Sequence, residues 1–226
     1  MSGGAKLLDG SLIAGEIRDE VAVEVAALDA DGIVPRLDAV IVGEDPASQV
    51  YVASKARTLA KLGMTSETHH LPDSTNQSEI EALVDRLNID QDVDGILVQL
   101  PLPREVDSAA ILRRIDPAKD VDGFHPQNVG LLQQGRPALE PCTPAGIMEM
   151  LRRSDVPIEG KRVVVVGRSD IVGKPMAMML LHANATVTVC HSRTRDLASV
   201  TRQAEILIAA VGVRSLIGPD HVAQGA

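Results

Sequence analysis

The strongest signal of the fold is one stretch of sequence, Val163-Val-Val-Val-Gly-Arg-Ser-Asp-Ile-Val-Gly-Lys-Pro175. Its four consecutive β-branched residues indicate a strand buried on both faces, and Gly167 breaks that strand so that the chain can turn into a helix. Gly167 and Gly173 would let the backbone approach a phosphate, and the start of the helix would present free N–H groups to it. The glycine spacing departs from the G-x-G-x-x-G fingerprint. Both glycines can therefore also be explained by close packing of the helix against the strand.

The chain on both sides of this stretch alternates between strand and helix patterns, which predicts an α/β fold with a parallel, doubly wound sheet. Buried strands are predicted at Leu37–Val42, Gly95–Leu100, Val163–Val166, Ala185–Cys190 and Ile206–Val211. Helices are predicted at Leu12–Leu28, Pro46–Leu62, Ser78–Leu87, Ser108–Ile115, Pro144–Arg153, Lys174–His182 and Leu197–Arg202. Residues 116–135 read as a functional loop, and the proline-rich passage 136–141 as the domain boundary.

Two of these helices carry N-terminal capping signals. Asp45 precedes Pro46 and Thr143 precedes Pro144, so that in each pair the first residue can cap the helix and the proline can occupy its first position. Gly63 is a natural stop at the end of the helix that Pro46 begins.

Composition and charge restrict the classes of function. The 226 residues are 45% hydrophobic and carry a net charge of -9 without a basic cluster, which argues against nucleic-acid binding and for a small-molecule ligand. The apolar runs are too short to cross a membrane, and the N-terminal residues lack the pattern of an export signal. Cys142 and Cys190 stand far apart, as expected of buried thiols in a reducing cytoplasm. Tyr51 and Phe124 are the only aromatic residues, so aliphatic side chains and methionine must build the core.

The residues after the second strand of the nucleotide-binding unit predict the cofactor. An acidic side chain about 20 residues beyond the glycines selects NAD through its ribose hydroxyls, but Cys190-His-Ser-Arg-Thr194 contains no acid. Arg168, Ser192 and Arg193 are suited instead to the 2′-phosphate of NADP, because guanidinium and hydroxyl groups can donate several hydrogen bonds to it. Each arginine taken alone can also be read as an ordinary solvated charge.

Three polar side chains share one face of the helix that Pro46 begins. Ser48, Tyr51 and Lys55 fall at positions i, i+3 and i+7. Their surroundings could desolvate the Lys55 ammonium and favour a neutral amine that acts as a base, whereas a solvated surface lysine is the other reading. Tyr51 reads either as a ring that stacks on a ligand or as part of the core.

Further polar residues lie where predicted strands end. Gln99 ends a strand before two prolines and points toward the carboxyl edge of the sheet, where open α/β sheets bind ligands. Asp120 and Asp122 are either turn-forming residues or carboxylates that bind a ring with adjacent N–H donors. His69-His70 has no third ligand at metal spacing, so we expect an exposed pair and no metal site.

Five motifs together resemble the bifunctional methylenetetrahydrofolate dehydrogenase/cyclohydrolase family. They occur in the family's order, and the likeness covers essentially all 226 residues. The motifs are Tyr51-Val-Ala-Ser-Lys55, Asp94-Gly-Ile-Leu-Val-Gln-Leu-Pro-Leu-Pro103, Lys119-Asp-Val-Asp-Gly-Phe-His-Pro126, Pro141-Cys-Thr-Pro144 and Gly167-Arg-Ser-Asp-Ile-Val-Gly-Lys-Pro175.

The resemblance implies two α/β domains around a cleft: a folate-binding catalytic domain over residues 1–139 and a Rossmann-like NADP-binding domain over residues 140–226. It implies that NADP takes hydride from 5,10-methylenetetrahydrofolate, giving 5,10-methenyltetrahydrofolate, which water then opens to 10-formyltetrahydrofolate. The corresponding expectation is a cytoplasmic homodimer that binds tetrahydrofolate derivatives in one-carbon metabolism and supplies purine biosynthesis.

The resemblance also assigns roles to residues at matching positions. Lys55 is then the catalytic lysine, and Gln99 hydrogen-bonds to it and tunes it. Tyr51 packs on the folate and Asp122 holds the pterin ring, with Ser48 beside the substrate. The expected NADP contacts are Gly167, Arg168, Ser169, Gly173, Ser192 and Arg193.

The sequence departs from the family at its end. The resemblance implies further strands, a Pro-Gly-Gly-Val-Gly-Pro-like segment and a returning helix beyond Ala226, so we expect an NADP-binding domain that is incomplete relative to the family. Two alternatives stay open. A dehydrogenase of the shikimate type could share the architecture and NADP, and a shortened paralogue could bind folate without catalysis.

Overall fold

The computed structural model describes residues 5–226, apart from the side chain of Ala47. Residues 1–4, with which the predicted first domain begins, lie outside the described residues. The helices are α1 (Gly10–Ala30), α2 (Pro46–Lys61), α3 (Gln77–Ile89), α4 (Ser108–Arg114), α5 (Pro126–Gln133), α6 (Cys142–Arg153), α7 (Gly173–His182), α8 (Leu197–Thr201) and a 3-10 turn at Pro219–His221. The strands are β1 (Arg36–Val42), β2 (Thr65–Leu71), β3 (Gly95–Val98), β4 (Arg162–Val166), β5 (Thr186–Cys190) and β6 (Ile206–Ala209).

The chain divides into two compact units. The first unit is Ala14–Asn128, and the second combines the residues up to Ile13 with Val129–Ala226. Each unit contains one parallel three-stranded sheet, with strand order β2-β1-β3 in the first and β5-β4-β6 in the second. The predicted α/β class and parallel pairing are therefore confirmed.

The first unit covers both faces of its sheet with helices. Val40, Val42, Ile96 and Val98 face α3 and α4, whereas Ala39, Ile41 and Leu97 face α2. Alternate residues of each strand thus enter opposite cores, which explains the nearly unbroken apolar runs in β1 and β3.

The second unit is built in the same way around β4, the strand with which the stretch 163–175 begins. Val163 and Val165 pack with Met176 and Leu180 of α7, and Val164 and Val166 pack on the α8 side. All four valines are at most 3% exposed, as expected of a central strand between two helical layers. Aliphatic side chains make up the core of the first unit, and methionine and Cys190 join them in the second, so neither core contains an aromatic ring, as the composition predicts.

Several local predictions concern the ends of helices, where they can be compared with the structure. Asp45 caps α2, because its Oδ2 accepts a hydrogen bond of 2.8 Å from the Ser48 N–H. Gly63, just beyond the end of α2, has a φ of +83°, which glycine adopts without strain. The predicted Thr143 cap is wrong: α6 begins at Cys142, and the capping position, Pro141, makes no side-chain capping bond.

Besides the 3-10 turn at Pro219–His221, the sequence does not predict two elements, β2 and α5. β2 lies at the edge of its sheet and is mostly exposed, so its sequence Thr65-Ser-Glu-Thr-His-His-Leu71 lacks the apolar alternation of a strand. α5 lies within the predicted loop 116–135, which is therefore only partly a loop. Among the described residues, no helix is long and apolar enough to cross a lipid bilayer.

Candidate active site

The N-terminal half of α2 places the predicted polar face. Ser48 is buried, with its N–H bonded to the capping Asp45, and that bond together with one from the Ser48 side chain lowers the pKa of Asp45. Tyr51 lies one turn further along and is 58% exposed. Its ring therefore presents a large apolar surface outside the core, as a stacking platform for a planar ligand requires.

Lys55 lies against this ring. The Lys55 ammonium nitrogen is 4.6 Å from the centroid of Tyr51, within the range of a cation–π contact. Both residues line a cavity of about 270 Å³. The other lining residues are Leu37, Ser54, Thr58 and Leu59. The shared helical face predicted for Tyr51 and Lys55 is present in the structure.

Gln99 extends the pairing of β1 with β3 beyond the last paired residues. Its backbone N–H donates to Val40 O at 2.9 Å, and its side-chain Nε2 donates to Leu100 O at 2.9 Å. The second bond fixes the amide plane. Gln99 is therefore held in one orientation at the carboxyl edge of the sheet, where ligands of open α/β sheets bind.

Asp122 belongs to a loop that pairs with β3. Asp120 forms a parallel bridge with Ile96, and Lys119 O accepts a 2.7 Å hydrogen bond from the Ile96 N–H. The loop therefore runs in the direction of β3, which takes Asp122 toward the edge at which Gln99 emerges. Burial raises the pKa of Asp122, Lys55 lowers it and Asp120 raises it, with a net pKa above the ordinary value. Lys55 and Asp122 thus interact electrostatically.

His69 is not part of an exposed pair, which corrects the sequence prediction. Its Nε2 lies 2.9 Å from Oδ2 of the fully buried Asp38, while His70 is exposed. Asp38, Glu67 and His69 place possible ligand atoms within 4.8 Å of one another. The Arg36 guanidinium, however, contacts both carboxylates at 2.8–3.0 Å, so the group is arranged as an ion-pair cluster.

In the second unit, Gly167 and Gly173 pack against backbone atoms. A Cβ on Gly173 would lie 2.3 Å from Gly167 O, and a Cβ on Gly167 would lie 2.2 Å from Ala210 O. Gly167 also has a φ of +126°, a conformation that other residues rarely adopt. Close packing of turn, strand and helix therefore requires glycine at both positions.

The start of α7 differs from the prediction of free N–H groups. The Ser169 Oγ accepts from the N–H groups of Val172 and Gly173, and Ser169 O accepts from Lys174. Pro175 has no N–H, and Met176 donates to Val172 O. The first turn of this helix is thus capped by its own chain, mainly by Ser169.

The turn before α7 offers donors instead. Residues 168–171 are exposed, and within the described part of the chain no acceptor is found for their backbone N–H groups. The turn follows β4, and Gly167 N–H donates to Cys190 O at the end of β5. An exposed backbone turn beside the Arg168 guanidinium fits the phosphates of a dinucleotide.

The residues predicted to read the 2′-phosphate follow two paired strands. Val166 of β4 pairs with Cys190 of β5, so Arg168 and Ser192 leave the same edge of the sheet. Ser192 and Arg193 are exposed, and the Arg193 N–H donates to His191 Nδ1. Their side chains can therefore reach a ligand in solution without breaking the fold.

Comparison with known proteins places both units in one family. The profile of the tetrahydrofolate dehydrogenase/cyclohydrolase catalytic domain matches residues 8–122. The profile of the tetrahydrofolate dehydrogenase/cyclohydrolase NAD(P)-binding domain matches residues 141–226. The chain belongs to the tetrahydrofolate dehydrogenase/cyclohydrolase family. The family named from the five motifs is thereby confirmed.

Individual relatives agree with the family. The chain is 57% identical over 222 residues to the bifunctional protein FolD of Koribacter versatilis, covering 98% of this chain and 72% of that protein. The crystal structure of the Campylobacter jejuni bifunctional enzyme FolD superposes with a TM-score of 0.94 at 46% identity, over 96% of this chain and 77% of that one. The Trypanosoma brucei enzyme, crystallised with NADP cofactor and an inhibitor, gives 0.93 at 40% identity, over 97% and 76%.

Proposed function

We propose that this chain oxidises 5,10-methylenetetrahydrofolate to 5,10-methenyltetrahydrofolate with NADP and hydrolyses the product to 10-formyltetrahydrofolate. The observation that carries the proposal is the match of both family domains to one chain that also holds Lys55 against Tyr51. NADP, when bound, accepts the hydride. The residues of the chain bind the two ligands and handle the proton of the hydrolytic step.

Lys55 is the proposed catalytic lysine. Hydrolysis adds water to the cationic methenyl carbon and releases a proton, so a basic group beside that carbon assists the step. A neutral amine does so without placing a second positive charge beside the substrate. The fixed amide of Gln99 is proposed to hydrogen-bond to Lys55 and tune it, which agrees with its position at the carboxyl edge of β3.

Tyr51, Ser48 and Asp122 are the proposed folate contacts. The exposed ring of Tyr51 offers a stacking surface, and Ser48 lies one turn earlier on the same helix. The Asp122 carboxyl is half-buried, so that hydrogen bonds from the N–H groups of a pterin ring would be little weakened by water. We assign the folate-binding catalytic domain to residues 1–139.

The NADP-binding domain is assigned to residues 140–226. The proposed cofactor contacts are Gly167, Arg168, Ser169, Gly173, Ser192 and Arg193. Within this set the glycines let the turn pack closely, and Ser169 supports it by capping α7. Arg168, Ser192 and Arg193 supply the donors that recognise the 2′-phosphate, which favours NADP over NAD.

We also propose that the protein works as a cytoplasmic homodimer and that its product supplies one-carbon units to purine biosynthesis. Cys142 and Cys190 are not joined in a disulfide, which agrees with a reducing compartment. Only Cys190 is buried; Cys142 is exposed, which corrects the expectation of two buried thiols. Light scattering of the purified protein tests the dimer directly, because a monomer has a mass of 23.9 kDa.

Two spectrophotometric assays test the proposed function. The first follows formation of NADPH from methylenetetrahydrofolate and NADP, and the second follows loss of methenyltetrahydrofolate without cofactor. Turnover in both assays is the expected result. Turnover of shikimate instead would support the shikimate-type alternative, and folate binding without turnover in either assay would support the non-catalytic one.

A further inference from the structure

Asp120 is a buried carboxylate beside the proposed folate site. It is 1% exposed, and no ion pair to it is found among the described residues. Its Oδ2 accepts hydrogen bonds from the His125 N–H at 2.7 Å and from the Asn128 side chain at 2.9 Å. A buried negative charge that accepts hydrogen bonds only from neutral donors costs stability. Packing alone therefore does not explain an aspartate at this position.

Asn128 is equally buried and joins two parts of the loop. Its Nδ2 donates to Asp120 Oδ2 and to Pro117 O, each at 2.9 Å. Both hydrogens of the amide group are thus used inside the protein. Asn128 therefore connects the start of the Asp120 loop to the carboxylate at its centre.

The backbone on both sides of Asp122 is fixed by further contacts. Val121 packs so tightly on Gly95 that a Cβ on that glycine would lie 2.5 Å from the Val121 Cγ1. On the other side, the Gly123 N–H donates to Asp120 O at 3.1 Å with a φ of +66°. Asp122 stands between these two fixed residues, so its carboxyl leaves the loop in a set direction.

We propose that Asp120, anchored by Asn128, is a positioning residue for folate recognition: it fixes the loop that aims the Asp122 carboxyl and supplies a negative charge behind that carboxyl. This inference rests on the proposed function, in which Asp122 binds the pterin ring. Asp120 itself does not touch the substrate, because its carboxylate is enclosed by the loop and by Asn128 at the start of α5.

The electrostatics agree with this role. Besides burial, Lys55 of α2 lowers the pKa of Asp122 and Asp120 raises it. β3, on which the loop lies, carries only Gly-Ile-Leu-Val, and α5 has no ionisable side chain, although His125 precedes it. Asp120 therefore makes the Asp122 carboxylate a stronger acceptor for N–H donors than burial alone would.

Asp120→Asn tests the charge. The variant can still accept both hydrogen bonds through its amide oxygen, but it removes the negative charge. The pKa of Asp122 should then fall, so the acid limb of methylenetetrahydrofolate binding, measured without NADP so that no turnover occurs, should move to lower pH by at least about half a unit. An acid limb that coincides with that of the wild type would overturn the proposed electrostatic role.

Asn128→Leu tests the anchoring, with Ile111→Val as the matched control. The first variant keeps the branched shape of the side chain, although leucine is larger, and removes both donors. The second variant trims a fully buried core residue of the same unit. KM for methenyltetrahydrofolate should rise about tenfold in Asn128→Leu, whereas KM for NADP stays within about twofold and Ile111→Val leaves both nearly unchanged. If Asn128→Leu and Ile111→Val changed the two KM values to the same extent, Asn128 would have a structural role only.

The proposed function is tested separately. A wild-type protein without turnover would refute that function, whereas an active wild type with unaltered variants would refute only the inference about Asp120 and Asn128. Thermal melting of each variant shows that the assayed protein is folded, and Asp120→Asn, which preserves the hydrogen-bond acceptors, is the milder of the two changes.

Discussion

The Lys55 ammonium nitrogen lies 4.6 Å from the centre of the Tyr51 ring, one helical turn away on α2. The contact holds the amine over the ring of a residue that is 58% exposed. A planar substrate bound beside this ring would therefore lie close to the amine, so that one helix can supply both the binding surface and the proton-handling group.

Lys55→Met should abolish cyclohydrolase activity. Methionine keeps an unbranched apolar stem but lacks the amine, so methenyltetrahydrofolate hydrolysis should fall by at least about 100-fold. Lys61→Met, which removes an exposed lysine from the last turn of the same helix, should hydrolyse the substrate at the wild-type rate. Wild-type hydrolysis by Lys55→Met would remove Lys55 from the mechanism.

Arg168→Ala and Arg193→Ala should each weaken NADP binding selectively. Loss of a charge-assisted hydrogen bond to the 2′-phosphate should raise KM for NADP about tenfold or more, with little effect on KM for NAD. Arg202→Ala is the control, because that guanidinium donates to Asp220 O in the same unit. If KM rises equally for NADP and NAD, these arginines do not read the 2′-phosphate.

Gly173→Ala should destabilise the second unit, because the new Cβ would meet the backbone of Gly167 at 2.3 Å. Strain of this kind typically costs about 1–3 kcal/mol. Gly146→Ala in α6 is the matched control: its Cβ meets nothing within 4 Å, so the better helix propensity of alanine should stabilise by up to about 1 kcal/mol. Chemical denaturation measures both, and effects of the same sign would contradict the packing argument.

The sequence predicted the buried elements well and the edge of the first sheet poorly. β1, β3 and β4 carry apolar runs because both of their faces enter a core. β2 has one paired neighbour and a largely exposed surface, so its residues need not be apolar, and hydrophobic periodicity could not reveal it.

The functional residues also differ in how directly the sequence predicts them. The shared face of Tyr51 and Lys55 follows from helical spacing, which a sequence displays directly. Ser169 was predicted as a ligand contact, but its place three and four residues before Val172 and Gly173 is also a capping signal. The contact between Asp120 and Asn128 gives no such signal, because it depends on how α5 follows the loop.

Asp38 and Asp85 allow a buried and an exposed carboxylate to be compared, because each is paired with an arginine. Arg36 binds Asp38 through two hydrogen bonds of 2.8 and 3.0 Å, and Arg114 binds Asp85 through two of 2.6 and 2.7 Å. Asp38 is fully buried, whereas the Asp85 side chain is 49% exposed. Solvent screens the exposed pair, so equal geometry should yield unequal contributions to stability.

Asp38→Asn should therefore lower the free energy of unfolding by about 1–3 kcal/mol near neutral pH, because Arg36 loses charged hydrogen bonds but keeps Glu67 as a partner. Asp85→Asn should change it far less. Burial alone would raise the pKa of Asp38, but hydrogen bonds from Arg36 and His69 outweigh it, so the folded pKa lies below the ordinary value. The stabilisation is then present above the unfolded pKa of about 3.9 and is lost as the pH falls through the folded pKa. In urea denaturation between pH 7 and pH 3, the free energies of unfolding of the wild type and of Asp38→Asn should converge at the acid end. A difference that stays constant over this range would mean that Asp38 stabilises the unit by packing and not by its charge.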